Sequence, residues 1–312
     1  MGIVLLKDLV KSYGQHIAVN NLNLKVNEGE IYGILGPNGA GKSTTINMLT
    51  GLLTPSSGEV HIFEKKLTKN SRNIKSNIGI VPQDIAIYED LTAIENVMFF
   101  GSLYNLKGQN LKENAKRALE FVGLSERAKE KPSNFSGGMK RRLNIACAIV
   151  HNPKLIIMDE PTVGIDPQSR NHILDSIKKL RDMGSTIIYT SHYMEEIQHI
   201  CTNIAIIDHG KLIVEGKIED ILTKYSPDNV ITIQFMSSIS KEDVESIEDF
   251  TGVRKVIIKD KMIIVENNKN VNNLDKIILH LTNNNLSIIN IERKHNDLEA
   301  IFLTLTGKSL RD

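Results

Sequence analysis

The sequence predicts an α/β fold organised on a parallel sheet, followed by a small α+β domain. Apolar runs such as Leu155–Met158 and Thr186–Thr190 are typical of strands buried on both faces of a parallel sheet. Between such runs, apolar residues recur with the 3.6-residue period of helices. The last third of the chain follows a β-α-β-β-α-β order, which is typical of a ferredoxin-like domain. We therefore expect two domains, residues 1–226 and residues 227–312.

The composition argues against a nucleic-acid partner. The 312 residues carry a formal net charge of +1 and no basic block, whereas nucleic-acid binding requires a basic patch. The two cysteines, Cys147 and Cys201, lie in apolar-periodic segments without metal-ligand spacing, which predicts buried thiols in a reducing compartment. The N-terminus lacks a basic stretch, and no apolar run approaches the roughly 20 residues that span a bilayer. We expect a cytoplasmic protein, or one recruited to a membrane by another chain.

The first segments predict a small antiparallel sheet. Ile3–Leu6 and Ala18–Val26 have the composition of strands, and Tyr13 lies between them. The Tyr13 ring could stack on a nucleotide base. It could equally be a half-buried tyrosine at a strand end, and the residues alone leave both open.

The most specific motif joins a predicted buried strand, Ile31–Leu35, to a predicted helix, Thr44–Leu53. It fits the phosphate-binding pattern G-x-x-x-x-G-K-[ST]. Backbone N–H groups and a helix N-terminus favour an anion there. Lys42 can reach the β- and γ-phosphates, and the Ser43 hydroxyl can bind Mg²⁺. The loop consists of Gly36, Pro37, Asn38, Gly39, Ala40, Gly41, Lys42, Ser43 and Thr44.

Polar residues follow three predicted core strands, at the sheet edge where ligands bind in parallel α/β folds. They are Gln83, Asp159, Glu160 and His192. Asp159 can hold Mg²⁺, and Glu160 can orient and polarise an attacking water. His192 could hydrogen-bond a γ-phosphate. Taken alone, Gln83 is more often a solvated loop residue and a single histidine is usually structural, but the phosphate loop upstream favours a catalytic interpretation of the two carboxylates.

A helical region is predicted over about residues 91–151. Within it, Ser136, Gly137 and Gly138 immediately precede a helix and would form a second anion-binding N-terminus. The tripeptide alone is more often an ordinary serine cap with turn glycines. We expect Lys140–Arg142 to form a solvated helix face that adds positive potential.

The remaining predicted elements complete the sheet and build the second domain. Asp166 lies in a turn that leads into a helix, and Ile204–Ile207 pairs with Leu212–Val214 in a hairpin. The C-terminal strands and helices are predicted at 230–235, 241–250, 253–258, 262–265, 274–281 and 288–293. A closing helix has an apolar face, which favours core packing over an interface. That face consists of Leu298, Ile301, Phe302 and Leu305.

These motifs, in this order, resemble the ATP-binding subunit of an ATP-binding-cassette (ABC) transporter over Met1 to about Thr223. The resemblance implies a P-loop ATPase core with an antiparallel β-subdomain and a helical signature subdomain over about 91–151. It implies that Gly36–Thr44 is the Walker A loop, Leu155–Asp159 the Walker B strand and Glu160 the catalytic glutamate. Gln83 would be the Q-loop residue and a metal ligand, Asp166 the D-loop residue and His192 the switch histidine. Ser136–Gly138 would be the signature, and Tyr13 the aromatic residue that stacks on adenine.

The signature departs from the family's usual Leu-Ser-Gly-Gly-Gln, since Phe135–Met139 reads Phe-Ser-Gly-Gly-Met. The serine and both glycines are retained, so we expect the site to function. Met139 followed by Lys140–Arg142, and the ending Leu298–Gly307, are similar to the branch that exports drugs, sodium and polysaccharides. The second domain would be an accessory to the cassette.

The resemblance implies an ATPase that uses ATP and Mg²⁺, with catalytic roles for Lys42, Gln83, Glu160 and His192. Two cassettes would sandwich two ATPs head-to-tail, most simply as a homodimer. A separate integral-membrane permease would dock on the helical region and on Asp84–Phe100, holding the protein at the inner face of the cell membrane.

Two other interpretations stand beside this one. A soluble ABC ATPase would act on ribosomes or DNA, but such relatives typically carry two cassettes or a coiled-coil insertion. A nucleotide-sensing scaffold would not hydrolyse ATP, and the presence of Glu160 and His192 argues against it.

Overall fold

The computed structural model describes residues 2–225, 229–240, 242, 244–268, 271–284, 286–293 and 298–307. The chain divides into two compact units, one ending at Ile218 and the other spanning Glu219–Gly307. This boundary precedes the predicted one at 226/227, because residues 219–225 of the helix Ile218–Tyr225 group with the second unit. In the part of the chain that the structure describes, no helix is both long and apolar enough to cross a membrane.

The strands of the first unit are β1 (Gly2–Tyr13), β2 (His16–Asn27), β3 (Ile31–Leu35), β4 (Ser57–Ile62), β5 (Lys65–Lys66), β6 (Ile78–Val81), β7 (Leu155–Asp159), β8 (Thr186–Thr190), β9 (Asn203–Asp208) and β10 (Lys211–Lys217). Its helices are α1 (Lys42–Leu49), α2 (Arg72–Lys75), α3 (Ala93–Leu103), α4 (Gly108–Phe121), α5 (Gly137–Ile149), α6 (Pro167–Asp182) and α7 (Met194–Ile200). From the unit boundary onward the elements are α8 (Ile218–Tyr225), β11 (Asn229–Phe235), α9 (Glu245–Glu248), β12 (Val253–Lys259), β13 (Met262–Asn267), α10 (Leu274–Asn283), β14 (Ile288–Arg293) and α11 (Leu298–Thr306).

The central sheet of the first unit has the strand order β10-β9-β3-β8-β7-β6. The strands from β9 to β6 are parallel, and β10 pairs antiparallel with β9. Every residue of β3 and β8 is buried, as their continuous apolar runs predict. Because these strands are parallel, the segments that follow β3, β6, β7 and β8 meet at one edge of the sheet. The predicted α/β core is confirmed.

A second, antiparallel sheet has the order β2-β1-β4-β5, which confirms the predicted small sheet. β1 and β2 are longer than predicted because they form one hairpin, in which Tyr13 pairs with His16. Buried residues of this hairpin, including Leu6 and Leu22, share one hydrophobic core with Tyr32 of the central sheet. This shared core packs the hairpin against the central sheet.

The helical region consists of α3, α4 and α5. A capping box starts α3, since the side chains of Thr92 and Glu95 each bond the other's backbone N–H. Asn105 and Gly108 have φ values of 63° and 57°. This left-handed backbone is incompatible with a continuous right-handed helix, so it separates α3 from α4. α5 ends at Ile149, close to the predicted end at His151.

The second unit has the strand order β12-β13-β11-β14, with all neighbours antiparallel. This is the predicted ferredoxin-like arrangement. Its core joins alternate strand residues such as Ile231 and Ile263 to helix residues such as Ile277. Ile301 and Phe302 of α11 are buried, which confirms the predicted core face.

The predicted helix over 241–250 is shorter in the structure, where α9 spans Glu245–Glu248. Residues 241 and 243 of that prediction lie outside the described residues.

Candidate functional site

The phosphate loop lies between β3 and α1, pressed against two neighbouring backbones. A Cβ atom at Gly36 would lie 2.3 Å from the carbonyl oxygen of Ile207. At Gly41, where φ is 102°, it would lie 2.4 Å from the carbonyl oxygen of Ala18. Neither contact can relax, because both partners are backbone atoms. Glycine is therefore required at both positions, and the loop N–H groups are fixed around the start of α1.

Lys42 is the first residue of α1 and is 6% exposed. Its Nζ donates hydrogen bonds to the carbonyl oxygens of Gly36 (2.7 Å) and Pro37 (3.2 Å). Burial lowers the pKa of this ammonium group, and the carboxylates of Glu160 and Asp159 partly oppose that shift. A buried cation at a helix N-terminus suits the phosphates of a nucleotide.

Glu160 lies where the segments after β6, β7 and β8 converge. Its Oε1 is 2.5 Å from Nε2 of His192, and its Oε2 accepts a 3.1 Å hydrogen bond from Nε2 of Gln83. The backbone of Glu160 has a φ of 48°, a region that non-glycine residues rarely adopt outside functional sites and turns. Burial raises the pKa of its carboxyl group, while His192 and Lys42 lower it. A buried carboxylate with these partners suits a general base.

Asp159 and Glu160 are both held by one residue that the sequence analysis did not identify. Thr190, the buried last residue of β8, donates from Oγ1 to Oδ1 of Asp159 at 2.6 Å. The same hydroxyl oxygen accepts a 2.9 Å hydrogen bond from the backbone N–H of Glu160. A threonine that ends an apolar strand has no distinguishing signal in the sequence, so this role appears only once the neighbouring strands are paired.

These groups line a cleft of about 340 Å³. Tyr13 forms part of its wall and is 51% exposed, so it can present its ring to a base. His16 also lines the cleft and was not predicted; it lies there because it pairs with Tyr13 across the β1–β2 hairpin. The full lining consists of Tyr13, His16, Ala18, Asn38, Gly39, Ala40, Gly41, Lys42, Ser43, Thr44, Gln83, Glu160 and His192.

The predicted signature segment, Ser136–Gly138, lies on a different surface from that cleft. Ser136 and Gly137 are exposed, and the Ser136 side chain caps α5 by accepting from the N–H of Met139. A Cβ atom at Gly138 would lie 2.3 Å from Oγ of Ser169. Asp166 caps α6 by accepting a 2.9 Å hydrogen bond from the N–H of Ser169. The structure therefore brings the signature and Asp166 together, but not beside Lys42 of the same chain.

The expectation that Lys140–Arg142 form a solvated helix face is wrong for Arg141, which is 3% exposed. Its guanidinium donates to the carbonyl oxygens of Pro82 (2.7 Å) and Gln83 (2.5 Å). Lys140 instead pairs with Glu89 at 2.5 Å. The long side chain of Arg141 can be buried because two backbone carbonyl oxygens accept hydrogen bonds from its charged guanidinium. It ties α5 to the segment that positions Gln83.

Comparisons with known proteins agree with this geometry. The family model described as "ABC transporter" matches residues 19–163. The linearmycin resistance ATP-binding protein LnrL of Bacillus subtilis (strain 168) is 42% identical over 310 residues, which cover 98% of this chain and 99% of that protein. The chain belongs to the ABC transporter family, as an ATP-binding cassette.

This cassette is also 33% identical to the daunorubicin/doxorubicin resistance ATP-binding protein DrrA of Streptomyces peucetius, over 97% of this chain and 92% of that protein. Among solved structures, it matches a dimeric ATP-binding cassette in a post-hydrolysis state bound to ADP and Pi. The TM-score is 0.62 and the identity 32%, over 69% of this chain and 98% of that one. The cassette binds ATP and hydrolyses it.

The donor set at the cleft fits Mg²⁺ carried by a nucleotide. Among the described residues, no group of three or more His, Cys, Asp and Glu side chains could hold a metal ion, so a site built from protein alone is not formed there. Mg²⁺ is commonly bound by one or two protein oxygens together with phosphate oxygens and water. Ser43 in the cleft and Asp159 beside it are oxygen donors of this kind.

Proposed function

We propose that this cassette powers export through a separate, membrane-spanning permease. The observation that carries the proposal is the convergence of four polar side chains on the phosphate-loop cleft, because together they can bind a triphosphate and activate water. They are Lys42, Gln83, Glu160 and His192. Relatives named for linearmycin resistance, for daunorubicin and doxorubicin resistance and for Nod factor export support export as the direction. We favour this over a soluble ATPase acting on ribosomes or DNA, and we propose no nucleic-acid partner.

The proposed mechanism is in-line attack of water on the γ-phosphorus of ATP, which breaks the bond to the β-phosphate oxygen and yields ADP and phosphate. Lys42 and the loop N–H groups bind the β- and γ-phosphates and stabilise the charge that develops there. Glu160 orients the water and accepts its proton, and His192 hydrogen-bonds the γ-phosphate. Ser43, Gln83 and Asp159 would hold Mg²⁺, which neutralises phosphate charge when bound. Tyr13 would stack on the adenine.

We propose that two copies of the chain pair head-to-tail around two ATPs. The exposed start of α5 supports this, because Ser136 and Gly137 present a helix N-terminus to the outside of the chain. In the dimer, Ser136–Gly138 and Asp166 of one chain would face the γ-phosphate held by Lys42 of the other. Closure with ATP and opening after hydrolysis would move the permease between its inward and outward states.

The proposed docking surface for the permease is the segment Asp84–Phe100, next to the helical region. It carries an aromatic cluster in which Tyr88 and Phe99 pack edge to face at 4.9 Å, with Phe100 5.6 Å from Phe99. Tyr88 is 50% exposed and Phe99 37%, so the cluster has a partly open face of the kind that protein interfaces use. Docking there would hold the cassette at the inner face of the cell membrane.

The second unit would be an accessory to the cassette that holds no nucleotide. The residues that form the phosphate-loop cleft all precede Ile218, which supports this assignment.

Charge reversal at Asp90 tests the docking surface. Asp90 is exposed, whereas its neighbour Glu89 pairs with Lys140, so Asp90→Lys disturbs the chain itself less than Glu89→Lys does. The chain is reconstituted in proteoliposomes with the permease subunit under test. We expect Asp90→Lys to leave the basal ATPase rate of the free chain unchanged and to reduce its stimulation by the permease several-fold.

Glu28→Lys, an equal charge change in the exposed turn before β3, is the matched control and should behave as wild type. If Asp90→Lys lowers basal hydrolysis as much as stimulated hydrolysis, Asp90 belongs to the catalytic structure and the docking proposal is wrong. If the wild-type chain is not stimulated by any permease, the export proposal itself fails.

A further inference from the structure

The first unit contains a buried carboxylate that the hydrolytic mechanism above does not use. Glu196, on α7, is 3% exposed. Its Oε2 accepts three hydroxyl hydrogen bonds, from Oγ1 of Thr162 (2.8 Å), the phenol of Tyr189 (2.8 Å) and Oγ of Ser191 (2.6 Å). Its Oε1 lies 3.3 Å from Nε of Arg170. A buried carboxylate needs such partners, because an unpaired charge in the interior is strongly destabilising.

The partners of Glu196 come from the three segments that carry catalytic or dimer-facing residues. Ser191 immediately precedes His192, and Thr162 lies two residues after Glu160. Arg170 lies on the first turn of α6, where its N–H bonds the carbonyl oxygen of Asp166. One carboxylate therefore connects the neighbours of His192, Glu160 and Asp166.

The segment that carries His192 is held on both sides of the histidine. Oγ of Ser191 donates to Glu196 and accepts a 3.0 Å hydrogen bond from the backbone N–H of Tyr193. The Tyr193 ring in turn packs under the guanidinium of Arg170, with 4.3 Å between the guanidinium carbon and the ring centroid. The orientation of His192 toward Glu160 thus depends on a chain of contacts that starts at Glu196.

The two carboxylate oxygens of Glu196 differ in how firmly their contacts hold them. Oε2 makes three well-aligned hydrogen bonds, whereas the contact between Oε1 and Nε of Arg170 is an ion pair without hydrogen-bond alignment. The carboxylate is therefore fixed firmly to the segments of His192 and Glu160, and more loosely to α6.

We propose that Glu196 is a positioning residue for ATP hydrolysis, whose buried carboxylate holds the segment of His192 in register with the turn after Glu160 and with the start of α6. It acts through His192 and Glu160 and does not touch the nucleotide. The proposal rests on the catalytic roles assigned to those two residues. Because the network does not include the phosphate loop, Glu196 affects the chemical step rather than the binding of ATP.

The test compares Glu196→Gln with wild type in the full chain. Glutamine keeps the size of the side chain, but it removes the negative charge, replaces one acceptor oxygen by a donor and leaves Arg170 without its ion-pair partner. We expect kcat for ATP hydrolysis to fall by about 10- to 100-fold, since misplacing a catalytic group by about 1 Å can cost 10²-fold. The KM for ATP, and the affinity for a fluorescent ATP analogue, should change by less than about twofold if the phosphate loop is undisturbed.

Three further variants separate positioning from folding. Glu195→Gln changes the adjacent, exposed glutamate and should behave as wild type. Glu196→Asp keeps the charge and should recover part of the lost kcat. The double variant Arg170→Gln with Glu196→Gln should be at least as slow as Glu196→Gln alone, because it also removes the guanidinium that packs on the Tyr193 ring.

An unchanged kcat in Glu196→Gln would overturn the inference. So would a parallel fall of kcat, ATP affinity and melting temperature, since that pattern belongs to a residue that only supports the fold. Both results are distinct from failure of the mechanism itself, in which Glu160→Gln would hydrolyse ATP at the wild-type rate.

Discussion

Two helices of the cassette begin with glycine-containing loops, and they differ in what surrounds them. α1 begins at Lys42, in a cleft that also contains Gln83, Glu160 and His192. α5 begins at Gly137, on an exposed face, and its one capping hydroxyl, that of Ser136, is already bonded to its own helix. Both ends have the dipole and free N–H groups that attract an anion.

A helix N-terminus therefore attracts phosphate but does not by itself make a catalytic site. The groups around α1 come from the ends of parallel strands, which the sheet gathers at one edge. α5 follows a loop of the helical region, and its first residues do not line the cleft that the strand ends form. It can therefore supply N–H groups to a phosphate held elsewhere, which is the role that the proposed dimer gives it.

The largest effect is expected from removing the general base beside α1. Glu160→Gln keeps size and hydrogen-bonding reach but loses the charge that activates water, so hydrolysis should fall by roughly 10²–10⁴-fold. ATP affinity should stay or improve, because Lys42, Ser43 and Asp159 are untouched. The variant should accumulate as an ATP-dependent dimer, measured by size-exclusion chromatography with ATP and Mg²⁺.

Glu64→Gln is the matched control for that variant, because Glu64 is exposed and has a similar left-handed backbone, with φ of 63°. It should hydrolyse ATP at the wild-type rate. A Glu160→Gln chain that stays monomeric with ATP and hydrolyses it normally would remove Glu160 from its role and weaken the dimer model.

A mixing experiment asks whether the two helix ends meet across chains. Lys42→Ala disables the α1 end, and Gly137→Asp places a negative charge at the α5 end. A Cβ at Gly137 meets open space apart from one atom of Ile165 at 4.0 Å, and an acidic residue favours a helix start, so this variant should fold. Each variant alone should be inactive. An equal mixture should regain about a quarter of wild-type activity, since half of randomly paired dimers would contain one intact site of two.

Gly137→Ala, which adds a methyl group without charge, is the control and should lower activity much less than Gly137→Asp. If the mixture stays as inactive as the separate variants, while a mixture of either with wild type is active, the two ends do not cooperate across chains.

A further effect concerns stability instead of activity. Just past the other end of α5, His151 stacks on Tyr104 with 3.5 Å between ring centroids. Burial lowers the pKa of His151 to about 4, although a hydrogen bond to the carbonyl oxygen of Ile78 opposes the shift. The unfolded chain, with a pKa near 6.5, binds this proton more readily. The contribution of neutral His151 to stability is therefore complete above pH 6.5. As the pH falls towards 4, the free energy of unfolding decreases by up to about 3 kcal/mol through this group.

Chemical denaturation between pH 4 and pH 7 measures this contribution. His151→Phe keeps a ring on Tyr104 and should flatten the pH dependence in that range relative to wild type. His199→Phe, at an exposed site on α7, should leave it unchanged. Equal slopes in all three chains would show that His151 is not the titrating group.

The sequence was sufficient to predict which residues meet at the edge of the sheet. It was not sufficient to predict the contacts that hold those residues in place. The bounds of β6, β8 and β14 match their predictions. β6 and β8 are short apolar runs with clear ends. The placement of Gln83, Glu160 and His192 followed from strand ends alone. The roles of Thr190 and Glu196 did not, because they depend on residues about 30 positions away in the chain.

One expectation failed for a related reason. Arg141 was expected in solvent, since a run of three cations is usually exposed, but carbonyl oxygens nearly 60 residues earlier accept its hydrogen bonds. The domain boundary at 226/227 stays a prediction. The structure divides the chain after Ile218, and that division depends on tertiary contacts.

The left-handed backbone of Glu160 limits how far this cassette can be stabilised by sequence optimisation. Glycine adopts such a φ without a Cβ penalty, so Glu160→Gly would relax the backbone by roughly 1 kcal/mol while removing the carboxylate. A screen that scores folded yield or heat resistance alone would therefore drift towards an inactive chain at this position. Engineering of the cassette has to keep ATP turnover among the selected properties, because at position 160 glycine would relax the backbone whereas glutamate is needed for hydrolysis.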